Sequence, residues 1–427
     1  KSGDVYHYDH GDSSPEIIIT ATGGVGTGNE GDSPDWSYTT SGDIESGAVA
    51  ISSSGEYIAV GSNDDKVYLF DKDSSTPLWS YSTTNGDVLA VDISADGEYI
   101  VAGSGNDNIY LFDKDSSIPL WSYTSGGTVL TVAISANGDY IVAGDNQGEI
   151  YLFNRDISTP YWTYSAGGQF NSVTISGDGE YIAGGSDDDK VYLFDKDSSN
   201  PLWSHTTGGD VESVFISRDG EYIAAGSIDN KVYLFDKDSN TPSWSYSTSG
   251  DVNSVTLSAD GEYIVGGSND DKVYLFDKDS STPSWSYSAS DDVNSVSISE
   301  DGQYVTAASS SNKLYFFDKD SGTPLWTSDI SSNDFTAVSI SADGKHIIAG
   351  SNDDKAYKYT TIWDPGLMFG SSGHLYDDNS PYDNAINIDI SDEFTAGIPE
   401  FPNILLPIAS VLLIIGINNR KKVKLDE

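Results

Sequence analysis

The chain has 427 residues, with 67 Asp and Glu against 21 Lys and Arg and a formal net charge of −46. Ahead of its last few residues so acidic a chain shows no basic patch for a phosphate backbone, which argues against nucleic acid as a partner; the acidity favours solubility and the attraction of cations. It has no cysteine, so disulfides and thiolate metal sites are excluded and the fold must be held by strand pairing and packing.

The first residue is Lys1 rather than Met, which reads as a chain without its leader, a removed signal peptide being one explanation. Residues 1–34 form an arm of Gly, Ser and Asp around one apolar run, Glu16-Ile-Ile-Ile-Thr-Ala-Thr. That run is expected to be a short strand on the protein's own domain; the alternative is strand addition to a neighbouring subunit. His7, Asp9 and His10 offer two imidazoles and a carboxylate to a transition metal, in a Gly-rich setting with no supporting shell. The run Gly23-Gly-Val-Gly-Thr-Gly lacks the Lys and helix of a phosphate loop and reads as linker.

From residue 35 to 361 one unit repeats. Trp244-Ser-Tyr, a Gly/Asp turn, Val-Asn-Ser-Val-Thr-Leu-Ser, Ala-Asp-Gly261, Glu-Tyr-Ile-Val-Gly-Gly-Ser, Asn-Asp-Asp and Lys-Val-Tyr-Leu-Phe276 make up one copy. The unit tryptophans are Trp36, Trp79, Trp121, Trp162, Trp203, Trp244, Trp285 and Trp326, spaced by 41 to 43 residues, and turn glycines from Gly55 to Gly344 keep the same step. Four short Val/Ile/Tyr/Phe/Thr-rich strands per period of this length predict an all-β protein, an eight-bladed β-propeller of four-stranded antiparallel blades, with seven blades as the alternative. The Val-Asn-Ser-Val strand is expected innermost and the Trp strand outermost. The first Trp strand then has no inner strands before it and the last inner strands have no Trp strand after them, so the first should complete the last blade and leave no open seam. Trp363 falls out of frame. Small residues such as Gly61 and Gly185 on the second strand should let blades approach near the axis. The aromatics of the outer strands should fill the wedge between blades, and His205 and His346 stand where other units carry Tyr.

The turns carry most of the acids. Ala-Asp-Gly is a tight hairpin turn, Ser-Asn-Asp-Asp joins the second and third strands, and Asp-Lys-Asp-Ser-Ser-Thr-Pro joins the third and fourth. Both faces of the disc should therefore bear acidic rings. Asp71 with Asp73, and Asp277 with Asp279, resemble the first half of a calcium loop but lack the distal bidentate Glu; they are candidates for weak Ca2+ binding, with Asx turns as the plain explanation. No cofactor is otherwise expected. The clearest breaks in the repeat are Asp145-Asn-Gln-Gly148, Asn154-Arg155 and Arg218, and they form no acid/base set. No Asn-x-Ser/Thr sequon occurs, so N-linked sugar is not expected.

Gly-Ser-Asn-Asp-Asp-Lys-Val-Tyr-Leu-Phe-Asp resembles a WD40 repeat ending with Phe-Asp in place of Trp-Asp. Phe-Asp-Lys-Asp-Ser-Ser-Thr-Pro-Leu-Trp is similar to the tryptophan-docking segment of pyrroloquinoline-quinone-type (PQQ-like) propellers, which commonly have eight blades. The resemblance covers about residues 35–361 and implies the fold. The structural His of WD40 repeats is absent, and so is the cysteine pair that quinoprotein dehydrogenases use, so no residues match onto which a quinone site could be carried.

Residues 362–397 read as an acidic flexible tether. In 398–427, Ile398-Pro-Glu-Phe-Pro402 precedes an uncharged stretch from Phe401 to Ile417, followed by Arg420, Lys421, Lys422 and Lys424. Its 17 residues are at the lower limit for a transmembrane helix, and the basic cluster predicts a cytoplasmic tail and an external propeller. The tripartite pattern resembles the PEF-type sorting signals of archaeal surface proteins. By that resemblance Pro399, Glu400 and Phe401 are recognition residues for processing by an archaeosortase. The expected function is a non-enzymatic, membrane-anchored cell-surface module for adhesion, binding or scaffolding, in an archaeon. Its partners would be a surface protein, a glycan or identical subunits. The alternatives are a self-assembling surface-layer or filament subunit, and an enzyme such as a polysaccharide lyase or oxidoreductase.

Overall fold

The computed structural model describes residues 32–330 and 333–361, with 368–369 and 375–376. Residues 1–31 of the arm, with His7, Asp9 and His10, the remaining tether, the sorting motif and the apolar stretch from Phe401 lie outside the described residues. Among the described residues no helix is long and apolar enough to cross a membrane. In the unit that includes 363–427, Met368–Phe369 pairs antiparallel with Leu375–Tyr376.

Each repeat forms one four-stranded antiparallel sheet, and eight such sheets make the ring. Blades 1 to 7 span 49–82, 88–124, 129–165, 170–206, 211–247, 252–288 and 293–329. Blade 8 takes three strands from 335–360, and its outer strand is Trp36–Thr39 from the other end of the chain, with Trp36 opposite Lys358 and Thr39 opposite Lys355. The predicted closure and the count of eight both hold.

Local chemistry explains the turns. The Asp-Gly turns place Gly97 at φ +77 and Gly220 at φ +76, and Tyr57 and Tyr181 lie over them, so a Cβ would meet the ring at 2.6 and 2.7 Å. The Asn-Asp-Asp turns put their last residue in the left-handed region, as at Asp65 (φ 64) and Asn230 (φ 64). Asp and Asn tolerate that region better than most side chains.

Between blades the core is aromatic and tight. Trp79 and Tyr81 of blade 1 pack on Phe112 of blade 2, both with centroids 5.2 Å apart, and Phe112 is fully buried. Each such Phe contributes about 1.5–3 kcal/mol from burial. The small second-strand residues do permit close approach: a Cβ on Gly61 or Gly185 would sit 2.6 Å from Val88 Cγ1 or Val211 Cγ1 of the next blade. His205 packs as its Tyr counterparts do, edge-on to Phe235 at 5.1 Å, and His346 covers Gly55 as Tyr57 covers Gly97.

Candidate functional site

The ring encloses a channel whose wall is the free edge of eight inner strands. Edge strands leave N–H groups unpaired, and the repeat answers this with one side chain. The Ser or Thr of Val-x-Ser-Val accepts from the next blade: Thr131 Oγ1 from Val173 N (3.0 Å), Ser172 Oγ from Val214 N (3.0 Å), Ser213 Oγ from Val255 N (3.0 Å) and Ser254 Oγ from Val296 N (3.1 Å). In blade 2 the position is Ala90, and Asp92 two residues on takes a related role, accepting from Ile134 N at 2.9 Å and from Ile93 N at 2.8 Å. Removal of the Asp92 carboxylate from bulk water pushes its pKa up to about 6, against the two N–H bonds that favour its charge.

One end of the channel is ringed and bridged. The residues before each Asp-Gly turn form a closed circle of backbone hydrogen bonds, from Ser53 N to Ala95 O (3.1 Å) round to Ala342 N to Ser53 O (3.0 Å). Across it Arg218 donates to Glu300, whose other oxygen accepts from Ser53 Oγ at 2.6 Å. A smaller cavity of about 370 Å³ lies here beside Asn137, Asp178 and Arg218.

The other end opens as a funnel of about 680 Å³, lined by Glu45, Asn171, Glu212, Asn253, Asn294 and Asp334 among others, and by no Lys, Arg or His. Three of the carboxamides, those of Asn171, Asn253 and Asn294, are already committed as donors. Asn171 Nδ2 gives to Asp187 Oδ1 (2.6 Å) and Val211 O (3.2 Å), and Asn294 Nδ2 to Ser310 Oγ (3.0 Å) and Phe335 O (2.8 Å). What the mouth offers a ligand is therefore mostly acceptor oxygen, with the amides of Asn269 and Asn352 beside it. Carboxylate oxygens of Asp187, Asp210 and Glu212 come within 4.8 Å of one another, as do those of Asp271, Asp291 and Asp292. Burial and then the neighbouring Asp187 raise the pKa of both Asp210 and Glu212. Such oxygen groupings are the type that takes a hard cation.

The calcium candidates lie elsewhere, in the loops at the outer rim of the opposite face. Asp71 Oδ1 accepts from Asp73 N (2.8 Å) and Asp277 Oδ1 from Asp279 N (2.9 Å), which are Asx turns, while Asp73 pairs with Lys72 at 3.1 Å. The structure does not bring the two pairs together: they belong to blades 1 and 6. These loops receive the tryptophans. The indole N–H of Trp79 donates to Lys114 O (2.7 Å), Trp121 to Arg155 O (2.7 Å) and Trp162 to Lys196 O (2.8 Å), each reaching the next blade. Trp326, before the seam, has no acceptor among the described residues.

The breaks in the repeat serve packing. Buried Asp145 accepts from Gln147 N and Glu149 N (both 2.9 Å) and from the Tyr151 hydroxyl (2.9 Å). That work falls in most blades to the first Asp of Asn-Asp-Asp, as where the Tyr68 hydroxyl donates to Asp64 at 2.6 Å. The Arg155 guanidinium lies over Tyr99 at 4.6 Å. The motifs of the sequence do not single out three further departures, Asp92, Glu300 and Lys358. Each is a charge at a position where most blades carry a small or apolar residue, and aligning the units strand by strand exposes them.

A family model described as outer membrane protein assembly factor BamB, of PQQ-like repeats, matches residues 23–186 and again 187–353. No curated protein matches the chain.

Proposed function

We propose that the chain, a member of this PQQ-like repeat family, is a non-enzymatic binding or scaffold propeller held at a cell surface. The regularity of the ring carries this reading. Eight blades repeat the same turn acids and hydroxyls, a rigid display suited to multivalent contact with a surface protein, a glycan or identical subunits. The breaks in the repeat at Asp145, Arg155 and Arg218 are used in packing and in bridging one channel end rather than gathered as an acid, base and nucleophile. The acceptor-rich mouth supports a ligand that brings donors or a cation.

The tail supplies the address. An uncharged stretch after Pro399-Glu400-Phe401, ended by Arg420, Lys421 and Lys422, supports a membrane anchor with the propeller outside, and its resemblance to PEF-type signals supports an archaeal host and archaeosortase processing. Electron microscopy of the protein in its own cell envelope, at graded calcium, tests the proposal. Discrete discs at the surface support a tethered binding module, and ordered arrays or filaments make it a surface-layer subunit. Recovery of the full-length protein in the cytosol of fractionated cells overturns the surface assignment.

A further inference from the structure

The loops at the rim are near-copies of one another, and they differ where it costs something. Of the eight large apolar residues exposed among the described residues, six lie in the third-to-fourth-strand loops of four consecutive blades: Leu78, Ile118, Leu120, Ile157, Tyr161 and Leu202. Ile118 stands where the other loops of blades 1 to 7 carry Thr or Asn, and Ile157 where they carry Ser. That Ser normally closes the turn, as Ser74 Oγ does by accepting from Thr76 N at 3.0 Å. Ile157 gives up this bond and is still 49 % exposed, and Ile118 is 75 % exposed. Neither exchange buries a whole apolar side chain in the ring. On the far side of the ring the residue before Trp is Ser243 in blade 5 and Ser284 in blade 6, and Leu325 in blade 7 is packed against the core.

The six residues form one arc. The tryptophan bonds to Lys114, Arg155 and Lys196 tie the loops of blades 1 to 4 into a continuous rim. Beside the apolar residues run Asp73, Asp115, Asp156 and Asp197, each paired on one side with Lys72, Lys114, Arg155 or Lys196 of its own loop and each still with more than three-quarters of its side chain exposed to a further cation. We infer that this arc is a docking surface for a partner protein segment that presents aliphatic side chains flanked by Lys or Arg. Charge complementarity selects that occupant. A second copy would set the same acids against one another on chains of net charge −46, and an anionic lipid surface would meet them unfavourably.

The inference deepens the binding reading above and rests on it. The two fail separately, because the microscopy and fractionation report where the protein sits and the following assay reports what the arc holds. The full chain is compared with a variant that restores the repeat's own residues, Ile118→Thr and Ile157→Ser, and carries the blade-5 residue in Leu78→Ser, Leu120→Ser, Tyr161→Ser and Leu202→Ser. The probe is a short synthetic peptide of alternating Leu and Lys, with Ser–Lys and Leu–Glu peptides and anionic phospholipid vesicles beside it. The Leu–Lys peptide is expected to bind the natural chain about tenfold or more tightly than the variant, and the Ser–Lys peptide to bind both weakly and alike. Equal binding of Leu–Lys to both chains overturns the inference, as does Leu–Glu binding as tightly as Leu–Lys. Vesicle binding that falls with these substitutions while peptide binding does not would make the arc a membrane surface instead. Should the sixfold variant fail to fold, Ile118→Thr with Ile157→Ser alone decides, by the same comparison at about threefold.

Discussion

The ring closes on a charge. Lys358 is 3 % exposed and stands where blades 1 to 6 carry Leu, from Leu69 to Leu275. Its ammonium bonds Asp35 Oδ2 at 2.6 Å and also reaches Thr360. Asp35, in turn, is the acid just before the first Trp strand, where other blades have Leu, Tyr or Ser. Replacing only Asp35 by Ser leaves a buried ammonium with Thr360 as its remaining partner. Breaking a fully buried pair costs about 3–5 kcal/mol; Asp35 keeps 41 % of its side chain exposed, so about 2–3 kcal/mol is expected, the partly wet end having been screened already. At about 2.1 cal/mol/K per residue over roughly 330 residues, that is a fall of about 3–4 °C in Tm. Lys358→Leu alone removes the buried charge and is expected within about 1 kcal/mol of the natural chain. The double variant Asp35→Ser/Lys358→Leu reproduces an ordinary blade and should recover most of the loss. Thermal unfolding of the four full-length chains, followed by circular dichroism, reads the cycle. If Asp35→Ser melts with the natural chain, or the double variant melts as low as the single one, the pair does not hold the seam.

Asp92 has its pKa raised to about 6, so the folded ring binds its proton more tightly than the unfolded chain and loses stability as pH rises from about 4 through 6; Asp92→Ser should gain about 1–2 kcal/mol at pH 7.5, less than the full shift because the channel admits water, and gain nothing below about pH 4, as urea midpoints at the two pH values will show. Glu212→Gln removes one of three crowded carboxylates at the mouth and should raise Tm at low ionic strength, by an increment that shrinks in 1 M salt, a screening response that a mere packing change would lack. Gly220→Ala must hold a left-handed φ of +76 with its Cβ 2.7 Å from Tyr181 and is expected to cost about 2–4 kcal/mol; a denaturant midpoint equal to that of the natural chain would contradict the turn geometry.

Much of this was open to reading in the residues. The step from Trp36 to Trp326 announced eight blades, the orphaned first Trp strand announced the seam, and the Asp-Lys-Asp-Ser-Ser-Thr-Pro-Leu-Trp run announced that tryptophans dock. The acidic turns announced that both faces are negative, without saying that Asp187, Asp210 and Glu212, from a turn, a connector and an inner strand, meet at one mouth. Nor does Ser172 declare in sequence that its hydroxyl serves Val214, 42 residues on.

The sequence by itself determined the blade, its strand order, its turns and the number of copies, because each depends on alternation, turn residues and period within about 40 residues of chain. Only the tertiary structure decided how the free inner edges are satisfied, which end of the channel Arg218 and Glu300 bridge, how Lys358 and Asp35 meet across 323 residues, and that six exposed apolar residues share one rim. Those are relations between blades. They exist only once the ring has closed, when residues far apart in the chain become neighbours in space.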